Sequence, residues 1–178
     1  GEIGAGYING VQSKGVGTSL KHYALNNQEK YRQETSVEID ERTLREIYLR
    51  GFEIAVKKSN PTSVMCAYNK FSSIWCSENK MLLTEILRDE WGYDGYVVSD
   101  WGAVHNICKA VCAGLDLQMP KNPDIVAQLR AGVENGKITM EEIDRAVMRI
   151  LRFVTTKKPE KRPYDRDAQH ALAREIAA

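Results

Sequence analysis

Apolar positions in this chain follow two rhythms that alternate. Short, mostly apolar runs at Val16–Leu20, Ser63–Ala67, Tyr96–Val98 and Leu115–Met119 read as strands, and between them apolar residues recur at helical spacing. The first predicted helix, Glu2–Lys14, puts Ile3, Tyr7, Ile8 and Val11 on one face and stops at Gly15. A second runs from Glu41 to about Lys58 with Asp40 as its N-cap and Leu44, Ile47, Tyr48, Gly51, Ile54 and Ala55 as its stripe. Glu41–Arg45 and Glu46–Arg50 are i,i+4 pairs on its surface. Further helices are predicted over Asn79–Trp91, Val104–Ala113 and Pro123–Asn135, closed by Gly92, Gly114 and Gly136. Thr139-Met140-Glu141-Glu142 reads as a capping box, opening a helix that buries Ile143, Ala146, Val147, Ile150, Leu151 and Val154.

Strand and helix thus alternate four times. The strands are short and mostly apolar, as in sheets buried on both faces. Most end in a polar or aromatic pair: Lys21-His22, Tyr68-Asn69, Asp100-Trp101. This is the pattern of parallel β/α units, too few to close an eight-stranded barrel. From Thr155 to Arg166 prolines and lysines replace apolar residues, which predicts a linker, and Asp167–Ala178 begins another helix. The chain starts at Gly1 inside a helical pattern, so it reads as part of something longer.

Composition narrows the function classes. With 43% hydrophobic and 28% charged residues and a net charge of +1, nothing points to nucleic acid or an anionic membrane. No run is long enough to span a bilayer and no signal-peptide pattern is present. The four cysteines lack paired metal-site spacing and read as buried or semi-buried thiols, which favours a cytoplasmic location. Neither a metal nor an organic cofactor is expected.

The strand ends gather a cation (Lys21), an imidazole (His22), a phenol (Tyr68), a carboxylate (Asp100) and an indole (Trp101). A sugar site needs polar groups for hydroxyls, an aromatic face for the C–H face, and a carboxylate near the anomeric carbon. Lys21 beside Asp100 would hold that carboxylate ionised. Each residue also has a plainer role. Asp100 could cap the next helix, Met65 could be core, Asp116 could pin loop backbone, and His105 and His170 carry no partner signal.

Four stretches taken together resemble a known family. They are Lys21-His22-Tyr23-Ala24-Leu25-Asn26-Asn27-Gln28-Glu29, Met65-Cys66-Ala67-Tyr68-Asn69, Val97-Val98-Ser99-Asp100-Trp101-Gly102-Ala103-Val104-His105, and Ala113-Gly114-Leu115-Asp116-Leu117-Gln118-Met119-Pro120. In order and spacing they resemble glycoside hydrolase family 3, in its β-glucosidase branch. The resemblance implies Asp100 as nucleophile of a retaining mechanism, with Lys21 and His22 holding sugar hydroxyls. Met65, Tyr68 and Trp101 would line the same subsite, Trp101 as the sugar platform. Related bacterial β-N-acetylglucosaminidases carry a second histidine soon after the Lys-His pair, which this chain lacks; β-xylosidase or arabinosidase activity stays open. The fold implied is α/β: residues 1–154 as the later half of a (β/α)8 TIM-like barrel, 155–166 as a linker, 167–178 as the first helix of a second domain. An aspartate and an arginine from earlier strands, and an acid/base glutamate from the second domain, have no counterpart here. Nothing promotes Glu29, Glu34 or Glu78 to that last role. The stretch Phe71-Ser72-Ser73-Ile74-Trp75 also lacks the Asn-Gly turn common in the family.

Two functions follow as expectations. One is a fragment of a retaining enzyme acting on a β-glucoside or oligosaccharide substrate, slow by itself. The other is a non-catalytic half-barrel module for carbohydrate binding or assembly. In either case open edges near Val16 and Leu117 predict self-association.

Overall fold

The computed structural model describes residues 1–156 and 163–178. Helix α1 (Glu2–Gln12) precedes strand β1 (Ser19–Tyr23) and a two-residue strand β2 (Ser36–Val37). A long helical run comes next: α2 (Glu41–Thr43), a π-helical stretch Leu44–Leu49, and α3 (Arg50–Ser59). Strand β3 (Ser63–Cys66) leads into the hairpin β4 (Lys70–Phe71) and β5 (Ile74–Trp75), a 3-10 turn Cys76–Glu78 and a π-helical segment Met81–Glu90. Strand β6 (Tyr96–Ser99) and helices α4 (Ile107–Ala113), α5 (Ile125–Glu134), α6 (Met140–Thr156) and α7 (Arg166–Ala177) complete the described chain. No helix among the described residues is long and apolar enough to cross a membrane.

Strands β1, β3 and β6 form a parallel sheet in that order, with Ser63 opposite both Ser19 and Tyr96 and Met65 opposite Val98. Parallel strands place all their carboxyl ends at one end of the sheet, so Tyr23, Cys66 and Ser99 share it. The first strand starts later than expected, at Ser19 rather than Val16, and Gly17 runs so close to Thr62 that a side chain there would collide with it. The expected fourth strand shrinks to one bridge, Val98 to Leu117. Both Asp116 and Leu117 donate to the Val97 carbonyl. Farther along, the Ser99 hydroxyl takes over the ladder, accepting from Met119 N and donating to Met119 O. The peptides before His22, Ala24 and Pro120 are cis.

The core explains why the helices lie where they do. Tyr23 is wholly buried, edge-on to Phe52 at 5.2 Å and Trp91 at 5.9 Å, and donates its hydroxyl to Leu82 O at 3.0 Å. Leu44, Leu49, Leu82, Leu83, Ile86 and Leu87 fill the space around it. Asp40 caps its helix as predicted, Oδ1 accepting from Thr43 N at 2.9 Å. The stripe changes course, however. An extra residue in the π turn rotates the later part of the helix by roughly 100°. Leu44 and Leu49, five apart, are therefore the buried pair, while Ile47 is 67% exposed. The same shift leaves Glu46 paired back to Arg42 and Arg50 paired to Glu53, while Glu41–Arg45 forms at 2.8 Å.

Helix α6 shows its capping box, with Thr139 N donating to Glu142 and Glu142 N donating to Thr139 Oγ1. Its apolar stripe is mostly uncovered. Only Ala146 is buried, and Val147, Leu151 and Val154 are exposed, because the helix packs on α4 and β6 along one side alone. The expected linker overlaps the end of α6 at Thr156, and its residues 157–162 lie outside the described residues. The stretch before α2 contributes β2, which joins β4 and β5 in a second small sheet. Between β4 and β5 only Ser72 (φ 49) and Ser73 (φ 65) turn the chain. A two-residue hairpin with two positive φ values is the turn that Asn-Gly normally serves. Here two serines adopt it, held by Ser72 N to Val37 O (3.1 Å) and Ser73 N to Ser36 Oγ (2.8 Å).

Candidate active site

Residue Asp100 comes directly after the last residue of β6 and is 8% exposed. The turn continues through Gly102 at φ 81, a conformation that a side chain would strain, and Gly102 N is tied to Met119 O at 3.0 Å. One carboxylate oxygen, Oδ1, accepts from Trp101 N at 2.7 Å. The other, Oδ2, lies 3.4 Å from His22 Nε2. Asp100 does not cap the next helix: α4 begins at Ile107 and Asn106 caps it, accepting from Lys109 N at 3.0 Å.

The partner of Asp100 differs from the sequence-based expectation. His22 supplies the contact, not Lys21. Lys21 stays exposed on the edge strand, in an open groove with Ile3, Tyr7 and Leu20. Burial and the nearby Lys21 charge hold the His22 imidazole below its ordinary pKa, against the opposing pull of Asp100. At neutral pH His22 is therefore uncharged, able to donate through one ring nitrogen to a carboxylate or a hydroxyl.

Tyr68, two residues past β3, donates its hydroxyl to Trp101 O at 2.9 Å. Burial, then the Asp100 charge, raises this phenol's pKa, so it stays a donor. The indole of Trp101 is 60% exposed and offers an open face beside the carboxylate. Met65 is half-buried in β3, opposite Val98. Thus His22, Tyr68, Asp100 and Trp101 meet at one end of the sheet, Met65 lies in the strand between them, and Lys21 stands at its border.

Sequence reasoning missed two contributors. Arg32 places its guanidinium 4.9 Å from the Tyr68 ring centroid and pairs with Glu29 at 2.9 Å. It sits in an irregular loop, where periodicity carries no signal. Asn69 is 2% exposed and its amide donates to Ala24 O and Lys70 O, tying the loop after β1 to the one after β3. The cysteines behave as expected of thiols: all four are free and Cys66 and Cys76 are buried. Burial pushes the Cys76 thiol up to about 12. Asp116 pins strand rather than loop, accepting from Val97 N at 2.8 Å, Arg88 at 2.7 Å and Arg149 at 3.0 Å. Among the described residues no group of three or more His, Cys, Asp and Glu converges as metal ligands would.

A carboxylate with a spare lone pair, an uncharged imidazole and an open indole can hold a sugar ring and attack or stabilise its anomeric carbon. Residues 1–153 match the glycosyl hydrolase family 3 N terminal domain, and the chain belongs to that family. Among its relatives, thermostable β-glucosidase B of Acetivibrio thermocellus is 51% identical over 99% of this chain. An exo-α-(1→6)-L-arabinopyranosidase of Bifidobacterium breve is 42% identical, also over 99%. The chain spans 24% of the length of each of these two proteins. Among solved structures, a family 3 β-glucosidase of Bifidobacterium adolescentis superposes with a TM-score of 0.85 at 42% identity, over 97% of this chain and 26% of that one. β-Glucosidase 3B of Thermotoga neapolitana, solved with glucose, gives 0.81 at 42% identity, over 88% of this chain and 24% of that one.

Proposed function

We propose that this chain is the nucleophile-bearing part of a retaining β-glucosidase. Asp100 attacks the anomeric carbon of a terminal β-D-glucosyl residue and forms a covalent glycosyl-enzyme. The observation that carries this reading is the carboxylate itself: largely buried at the carboxyl end of β6, with one oxygen fixed by Trp101 N and the other facing an uncharged imidazole. His22 and Tyr68 hold sugar hydroxyls, Trp101 stacks on the ring, and Met65 fills the subsite wall. Lys21 reaches the sugar from the border of the sheet. The acid/base carboxyl must sit about 5–5.5 Å from the nucleophile in a retaining enzyme. We assign no second carboxylate of this chain to that place, so it comes from another part of the complete enzyme. A module that only bound carbohydrate would have no need of Asp100. The arabinopyranosidase relative supports a second specificity, since an α-L-arabinopyranoside also presents an equatorial glycosidic bond to the same attack.

The test uses the complete enzyme with aryl β-D-glucoside, β-D-xyloside and α-L-arabinopyranoside. The β-glucoside is expected to give the highest kcat/KM, with Asp100→Asn abolishing all three activities. An active Asp100→Asn enzyme overturns the proposal. The isolated segment, lacking the acid/base group, is expected to lose about 10²–10⁴-fold or more. Its open β1 edge and the exposed Ile3, Tyr7, Val147 and Leu151 support self-association, which sedimentation would detect.

A further inference from the structure

The loop carrying Asp100 has little backbone bonding of its own between Ser99 and α4. Apart from the Gly102 N bond to Met119 O, it is held from outside by the segment after β3, at four places. Tyr68 donates to Trp101 O at 2.9 Å. Ser77, fully buried, donates to Ala103 O at 2.8 Å. Glu78 Oε1 accepts from Asn106 N at 2.7 Å. The rings of Trp75 and His105 stack with centroids 3.8 Å apart and planes 3° from parallel. The ammonium of Lys70 also lies over the Trp75 ring, 4.3 Å from its centroid.

We infer that Trp75, Ser77, Glu78 and His105 form a clamp that sets the position of the nucleophile loop, residues 100–106; this rests on the nucleophile role proposed for Asp100. These are positioning residues and touch no substrate. Their ties fall along the loop at positions 103, 105 and 106, and the Tyr68 bond to Trp101 O adds one at 101, so the loop cannot slide or lift without breaking several together. The chemistry of each partner fits that task. One is a hydrogen bond to a backbone carbonyl, one is a charge-assisted bond to a backbone amide, and one is a flat contact between unsaturated rings. Glu78 thereby spends its carboxylate as an acceptor. The β4–β5 hairpin, built on two residues in left-handed backbone, delivers Trp75 to its partner. A misplacement of about 1 Å at the nucleophile can cost on the order of 10²-fold in rate, so the clamp acts on turnover more than on binding.

The experiment compares Trp75→Ala, His105→Ala and the double variant in the complete enzyme. It measures the rate at which a fluorinated glucoside with a good leaving group labels the protein, alongside kcat, KM and Tm. Each single change is expected to slow labelling and kcat on the order of tenfold, with KM moving by no more than about twofold. The double variant should be no slower than the slower single, since either change removes the whole stack. His105→Phe, which keeps a flat ring on the indole, should restore the rate. Labelling at the normal rate in both single variants, losses that multiply in the double, or no rescue by phenylalanine would each overturn the clamp. Peptide mapping separates this from the reading it rests on. A wild-type label away from Asp100 removes the nucleophile, whereas an Asp100 label with unchanged variant rates removes only the clamp.

Discussion

Asp100 and Asp116 belong to opposite ends of one strand, and their surroundings treat them in opposite ways. Asp116 reaches the start of β6, where its wholly buried carboxylate accepts from Val97 N and faces two guanidiniums, Arg88 at 2.7 Å and Arg149 at 3.0 Å. Burial raises this carboxyl above its ordinary range, and the two arginines and the Val97 amide pull it back. Its oxygens are committed to these partners, so little is left over for chemistry. Asp100 is nearly as buried but accepts one backbone bond and faces an uncharged ring at 3.4 Å. The aspartate at the start stabilises the strand. The one at the far end is held by it, and keeps bonding capacity that a ligand can use.

The same substitution at both positions separates the two aspartates most clearly. In the complete enzyme Asp100→Asn should retain the fold and lose at least about 10³-fold in kcat. Asp116→Asn should instead cost about 3–5 kcal/mol of stability, because the buried Arg88 and the half-buried Arg149 lose their counter-charge. Denaturant unfolding and initial rates, measured on both, check the crossover; an Asp116→Asn protein of unchanged stability would refute the structural half.

Strain is also unevenly shared. The site end carries the Ser72-Ser73 turn, two residues with side chains in left-handed backbone. Replacing them by Asn-Gly should stabilise the protein by about 0.5–1 kcal/mol, since these residues accept that backbone more readily. A destabilised Asn-Gly variant would mean that the serine side chains contribute more than their backbone costs.

The smallest effect is on pH dependence. The folded-state pKa of His22 is lowered, so between that value and the ordinary 6.5 the unfolded chain binds more protons. Its contribution to stability is therefore full above about pH 6.5 and is lost as pH falls through the folded value. His22→Gln should flatten this slope in melts recorded from pH 7.5 to 5. An unchanged slope would show that His22 is not shifted.

The parallel α/β pattern was legible because it rests on periodicity: short, mostly apolar strands, helices with caps such as Asp40 and Thr139, and stops at Gly92, Gly114 and Gly136. The convergence of His22, Tyr68, Asp100 and Trp101 was legible because parallel strands end together. Periodicity could not supply anything set by backbone detail or long-range pairing. The π turn that exposed Ile47 depends on one extra residue per turn, and the loss of the fourth strand depends on the Ser99 hydroxyl replacing backbone partners. The choice of His22 over Lys21 as the neighbour of Asp100 is set by which residue the edge strand leaves in water. The Trp75–His105 stack joins two loops whose sequences carry no common signal.

If Asp100 is the residue that becomes bonded to sugar, the bond itself can be found without reference to rates. The complete enzyme is incubated with a 2-fluoro β-glucoside bearing a good leaving group, digested, and the labelled peptide mapped. One glycosyl adduct is predicted, on Asp100, in the peptide that contains Val97-Val98-Ser99-Asp100-Trp101. An adduct on any other residue would contradict the assignment.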